Sequence, residues 1–252
     1  MTTVTLRQYV VGCVVVSLSA CSGDSTNVGG INTARLRYVH AIADTSAVDV
    51  RIRGVLRSTL TAVPYGAATD YETVTSGLLS VSSQPAPSVS ADAPRSIANL
   101  GTVFLNEGST VTLIAIGEAR DTVSARAAGI GGYLDDLTKP QTGQARVRVI
   151  NASPDAGAVD VYATLVGGTR TGVPTFAGID YRSALTRNLP AGSYTFTITP
   201  LSDATVVFAT TAAVLPDGGA QTIVILGYSA TLPAGVAATR RISTTRMVNV
   251  AP

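Results

Sequence analysis

The stretch Ala34-Arg35-Leu36-Arg37-Tyr38-Val39-His40-Ala41 returns about 110 residues later as Ala145-Arg146-Val147-Arg148-Val149-Ile150-Asn151-Ala152, and the echo sets the architecture. The correspondence continues in the same register. Asp44 falls on Asp155, Ala47-Val48-Asp49-Val50 on Ala158-Val159-Asp160-Val161, Val63-Pro64 on Val173-Pro174, and Asp70-Tyr71 on Asp180-Tyr181. Leu105-Asn106-Glu107-Gly108 then parallels Leu215-Pro216-Asp217-Gly218, and Gly117 parallels Gly227. A period of about 110 residues is too long for a solenoid unit and suits a duplicated domain.

Within each copy the period is that of strands. Val48, Val50 and Ile52 alternate with Asp49, Arg51 and Arg53, and Tyr194, Phe196 and Ile198 alternate with Thr195, Thr197 and Thr199. Thr110 to Ile116 and Thr222 to Leu226 are almost wholly apolar or β-branched, which predicts strands buried on both faces. Turn chemistry separates the runs at Asn106-Glu107-Gly108, Pro190-Ala191-Gly192 and Pro216-Asp217-Gly218-Gly219. Short strands broken by Gly and Pro predict an all-β chain of two tandem antiparallel β-sandwiches, Ig-like and Greek-key. A small Greek-key barrel in each copy is the alternative, which periodicity does not separate.

The expected organisation is a first β-domain over residues 33–140 and a second over 145–252. The boundary falls in Lys139-Pro140-Gln141-Thr142-Gly143-Gln144, where Pro lacks an N–H and Gly is flexible. Ser82 to Pro94, with three prolines, is expected to be a long loop inside the first copy.

Ala145 to Asp155 with Val159-Asp160-Val161-Tyr162, and Pro64-Tyr65-Gly66-Ala67-Ala68 with Tyr71, resemble the bacterial domain of unknown function 4397. The resemblance covers roughly residues 33 to 230. The first copy departs at Ile42-Ala43, where the second has Ser153-Pro154. It implies an extracytoplasmic β-domain, often found in lipoproteins, with no catalytic residues to carry over.

The N-terminus reads as an address. Arg7 precedes an uncharged run from Tyr9 to Ala20, about 12 residues, too short to span a bilayer core and right for the apolar part of a signal peptide. It ends in Leu18-Ser19-Ala20-Cys21, which resembles the lipobox of bacterial lipoproteins. The resemblance implies cleavage after residue 20 and acylation of Cys21, whose acyl chains would hold the protein on a membrane at about 0.8 kcal/mol per buried methylene. An ordinary secretory signal with a chance cysteine is the alternative. Residues 21–32 then form the lipidated cysteine and a polar tether. Cys13 leaves with the signal, so the mature chain would keep no free thiol. Ser22 after the cysteine points to the outer membrane in a Gram-negative cell.

Only 13% of the 252 residues are charged, about half the usual share, and the formal charge is +2. Such a balance excludes nucleic acid as a partner on electrostatic grounds. His40 is the single histidine, so a Ser-His-Asp triad has one place to form; its counterpart Asn151 points instead to a hydrogen bond closing a strand end. Zinc would lack ligands. Calcium has Asp44 with Asp49, Asp155 with Asp160, and Asp135 with Asp136 as candidates. An Asx-type turn accounts for the first acid of each repeat pair and an outward strand position for the second. Gly129-Ile130-Gly131-Gly132 lacks the P-loop lysine and is expected to be a turn. Arg35, Arg37, Arg146 and Arg148 form a repeated stripe suited either to anionic envelope polymers or to solvated strand faces.

These readings converge on a non-enzymatic envelope lipoprotein without cofactor, anchored to membrane lipid through acylated Cys21, with an envelope polymer or protein as further partner. The rivals are a carboxylate-dependent enzyme of surface glycans and a subunit of a larger envelope assembly.

Overall fold

Alternation of apolar and polar residues becomes strand wherever one face can be buried, and among the described residues the chain does this sixteen times, in two sets of eight. The computed structural model describes residues 32–86, 99–170, 172–201, 203–205, 207–230 and 232–250. The first set is β1 (Thr33–Ile42), β2 (Val48–Ile52), β3 (Val55–Leu56), β4 (Glu72–Thr75), β5 (Gly77–Pro85), β6 (Gly101–Leu105), β7 (Thr110–Gly117) and β8 (Gly129–Leu134). The second is β9 (Gln144–Asn151), β10 (Val159–Leu165), β11 (Phe176–Ile179), β12 (Ala184–Pro190), β13 (Gly192–Pro200), β14 (Ala209–Leu215), β15 (Ala220–Leu226) and β16 (Ser243–Val250). The lipobox residues Leu18, Ser19, Ala20 and Cys21, and the tether to Ile31, lie outside the described residues.

Each set forms a sandwich of two four-stranded sheets with the same connectivity. The orders are β4-β1-β7-β8 over β3-β2-β5-β6, and β12-β9-β15-β16 over β11-β10-β13-β14. Pairing is antiparallel except for β1 with β7 and β9 with β15, which run parallel. This departs from an all-antiparallel sandwich, and the parity of the strands explains the difference. Successive strands alternate in direction, so the first and seventh of a set point the same way, and making them neighbours forces a parallel pair.

Alternation also divides the core in three. In β1, Ala34, Leu36 and Tyr38 face the first sandwich's own core, and in β9, Ala145, Val147 and Val149 face the second's. The intervening residues face across to the other repeat: Val39, Ala41, Ile114 and Ile116 pack on Ile150, Ala152, Val224, Leu226 and Met247. The two inner sheets therefore stack on each other, giving four layers, and residues 31–252 cluster as one compact unit. This is why every residue of β7 and β15 is buried, as their near-continuous apolar runs predicted.

Two local expectations are corrected. Ser82 to Pro85 belong to β5 rather than to a loop, and residues 87–98 lie outside the described residues. Gly129 to Gly132 form most of β8, not a turn. A Cβ on Gly132 would come within 2.9 Å of the Val103 side chain, so glycine there lets the edges β6 and β8 approach across the sandwich.

Candidate functional site

The residues that sequence pattern marked as chemical are, in the structure, mostly occupied in holding the backbone. His40 is fully buried and its Nε2 bonds the Ser46 carbonyl at 2.7 Å. Asn151 makes the same contact in the second repeat, Nδ2 donating to the Gly157 carbonyl at 2.8 Å. The hydrogen bond expected to close the strand end is present in both copies. Burial pushes the His40 pKa down to about 4, and Arg240 opposes its charging as well, so the ring is neutral near pH 7.

Asp44 and Asp155 bond amides far from them in sequence. Asp44 accepts from the amides of Ala119 (2.6 Å) and Arg120 (3.0 Å), Asp155 from those of Ser229 (2.7 Å) and Ala230 (3.0 Å). Each carboxylate thus pins the turn after β7 or β15, a contact between segments far apart in sequence. Asp49 and Asp160 are not outward. Both are buried, accepting from the amides of Ala62 and Gly178 at 2.8 and 2.7 Å. Among the described residues no group of three or more His, Cys, Asp or Glu is placed to hold a metal ion.

The arginine stripe departs furthest from a solvated face. Arg37 and Arg148 occupy equivalent places on the inner sheets and turn into the seam between repeats, where they are 4% and 9% exposed. Arg37 Nε donates to Thr112 Oγ1 at 2.9 Å and Arg148 Nε to Thr222 Oγ1 at 3.1 Å, one bond per repeat. Each also reaches across the seam, Arg37 Nη1 to the Val248 carbonyl and Arg148 Nη1 to the Leu134 carbonyl. At the centre is the fully buried Asp135 carboxylate. It accepts from Thr112 (2.7 Å), Tyr71 (2.8 Å), Asn249 (3.1 Å) and the Arg148 guanidinium, with Arg37 Nη2 at 3.8 Å.

The guanidinium groups of Arg35 and Arg37 both lie over the Tyr71 ring, 5.0 and 4.7 Å from its centre. Burial, together with Asp135, pushes its hydroxyl up to about 12, which keeps it a donor to that carboxylate. Burial also lowers the Arg37 pKa. Beside the network a cleft of about 220 Å³ is lined by Asp136, Arg146, Thr186 and Gln221. Its mouth carries the Arg146–Asp136 ion pair at 2.8 Å.

Pattern reading missed Thr112, Thr222 and Asn249 as members of this network, and placed Asp135 only in a calcium pair with Asp136. One signal for it was in the sequence. Arg37 and Arg148 recur at the same place beside the apolar pairs Tyr38-Val39 and Val149-Ile150, and a cation carried into such a run requires a buried partner.

At the opposite end of the seam Glu118 is buried, 3.6 Å from Arg126. Burial raises its carboxyl pKa against the pull of Arg126, and Asp44, Asp121 and Asp155 raise it further.

The family model for a domain of unknown function (DUF4397) matches residues 34–162, through the whole first repeat and into the second strand of the second. The chain belongs to that family. No curated protein matches. Among solved structures it is similar to the Bacillus anthracis TIE protein (12% identity, TM-score 0.27), covering 78% of this chain and 34% of that one. The chain thus spans about a third of that protein's length. It is also similar to GBS52, the minor pilin of Streptococcus agalactiae (11% identity, TM-score 0.27, 81% of this chain and 99% of that). A third is CBMbc, a family CBM26 module from Eubacterium rectale Amy13K in complex with maltoheptaose (9% identity, TM-score 0.23, 87% and 98%). These likenesses carry no functional information. Among the described residues no helix is long and apolar enough to cross a membrane.

Proposed function

We propose that the chain is a cell-envelope lipoprotein, anchored through acylated Cys21, whose two fused repeats form a non-enzymatic binding or scaffolding body. The observation that carries the proposal is Leu18-Ser19-Ala20-Cys21 at the end of an uncharged run too short to span a bilayer. Support for the non-enzymatic reading comes from the site. His40 is buried and engaged by a carbonyl, and Asp44, Asp49, Asp155 and Asp160 are bound to backbone amides. Stacking the repeats through one apolar core holds their outer sheets at fixed separation, so a repeated envelope polymer or a protein partner would meet two prearranged surfaces. By the residue after the cysteine, a Gram-negative host would sort it to the outer membrane.

Metabolic labelling with an alkyne palmitate, followed by intact-mass analysis, tests the anchor. The expected product begins at Cys21, carries acyl chains and loses the label in Cys21→Ser. A wild-type chain that is unlabelled and uncut before Cys21 refutes it. Retention of the full chain on purified envelope polymers then tests binding.

A second reading, carboxylate chemistry on surface glycans, has one observation in its favour: the buried Glu118 with its raised pKa beside Asp44, Asp121 and Asp155. Its mark would be glycan turnover abolished by Glu118→Gln.

A further inference from the structure

We infer that the end of the fold from which the chain leads back to Cys21 is a bilayer-contact face, with exposed apolar side chains resting in the headgroup region. The inference rests on the lipid-anchor reading. Both repeats present the same end there, since Asn249 near the end of β16 touches Asp135 just after β8, and Arg148 reaches the Leu134 carbonyl. The chain enters at this end: the Asn32 carbonyl accepts from Ser76 and the Thr33 carbonyl from Gly108.

Exposed large apolar side chains gather here. Phe104, 66% exposed, is the cross-strand partner of exposed Leu78 near the start of β5. Leu134, 69% exposed, ends β8, and with Phe104, Val111, Asn106 and Ser109 it borders a groove of about 170 Å³. Asn106 and Ser109 bracket Glu107-Gly108, so the groove adjoins the point of entry. The second repeat repeats the device. Val214 and Val248, at the positions equivalent to Phe104 and Leu134, are exposed, as are Leu165 and Val166 at the end of β10 beside Ser193 and Tyr194. At the other end, among the described residues, the exposed large apolar side chains are single residues on loops, Val123, Leu201 and Val207.

Distance decides which end meets the membrane. Cys21 lies eleven residues before Asn32, and a Gly/Ser-rich chain of that length has a root-mean-square reach of about 18 Å, at 5–6 Å times the square root of its length. The strands of the inner sheets rise about 3.3 Å per residue, so the fold stands about 30 Å tall. The anchored bilayer is therefore met first by the end where the chain enters. Charges there are of both signs, Glu107, Asp136 and Asp217 with Arg53, Lys139 and Arg146, so the contact is apolar and needs no anionic lipid.

The chain has no tryptophan, so Phe104→Trp adds a single reporter. The full acylated chain carrying it, purified from membranes, is reconstituted into phosphatidylcholine vesicles with brominated acyl chains. The emission of the introduced indole is expected to shift to the blue and be quenched, whereas that of Val123→Trp at the far end stays red-shifted and unquenched. If the Phe104→Trp protein co-sediments with the vesicles while its indole emits as in water, the contact face is overturned and the anchor stands. Protein that fails to co-sediment overturns both. A blue shift without lipid that grows with protein concentration assigns the patch to a second copy and overturns the bilayer assignment.

Discussion

Asn249 in β16 and Asp135 just after β8 hold equivalent places in the two repeats, and across the seam the Asn249 amide donates to the Asp135 carboxylate, Nδ2 to Oδ1 at 3.1 Å. The duplicated positions thus carry an acid in one copy and its amide in the other. Two carboxylates meeting there would repel, whereas an amide completes the hydrogen bonds of the one that remains. Asn249 also accepts from Thr222 at 2.9 Å, linking both repeats' threonines to one network.

Removing the central charge is expected to be severe. Asp135→Asn keeps the shape but leaves Arg37 and Arg148 buried without their counter-ion, for an expected loss of about 3–5 kcal/mol. Urea unfolding of wild type and variant measures it; equal midpoints would show that the carboxylate contributes nothing.

His40 should make the fold acid-sensitive. Its folded pKa of about 4 lies below the unfolded value of about 6.5, so below pH 6.5 the unfolded chain binds a proton that the folded chain does not. The stability it contributes is complete above pH 6.5 and is lost as pH falls towards 4, at up to about 1.4 kcal/mol per pH unit. His40→Asn, which installs the residue the second repeat uses, is expected to flatten that window. Denaturation curves at several pH values between neutrality and the folded pKa give the slope.

Gly117 and Gly227 should tolerate no side chain. Their φ angles are +116° and +90°, and an added Cβ would lie 2.5 Å from the carbonyl oxygens of Arg126 and Arg241 respectively. Backbone strain of about 1–3 kcal/mol adds to the collision, so Gly117→Ala and Gly227→Ala are expected to lower the melting temperature alike. Unchanged melting would mean that the turn relaxes freely.

The repeats should unfold together. Ile114 and Ile150 are fully buried in the core between them, so Ile114→Ala is expected to cost about 2–5 kcal/mol. Ile150→Asp places a charge in the same layer and should split one calorimetric transition into two, because each repeat keeps its own core. Two transitions in the wild type would contradict the coupling.

Much of the fold was legible because its causes are local. Period-2 alternation in Tyr194 to Ile198, turn residues such as Pro216-Asp217-Gly218, and the parallel between Gly117 and Gly227 act over a few residues, and the structure honours each. The polar residues were harder. Asp44 and Asp155 look like turn formers, yet their amide partners lie at Ala119 and Ser229, which only strand order brings near.

Sequence by itself determined that the chain is a duplicated all-β protein, that β7 and β15 are buried on both sides, and that His40 and Asn151 serve one purpose. Tertiary structure alone decided what covers the second face of those strands. A strand's pattern states which faces leave water, but the surface that meets each face depends on long-range packing. Stacking the inner sheets turned Arg37 and Arg148 from an outward stripe into the buried surroundings of Asp135.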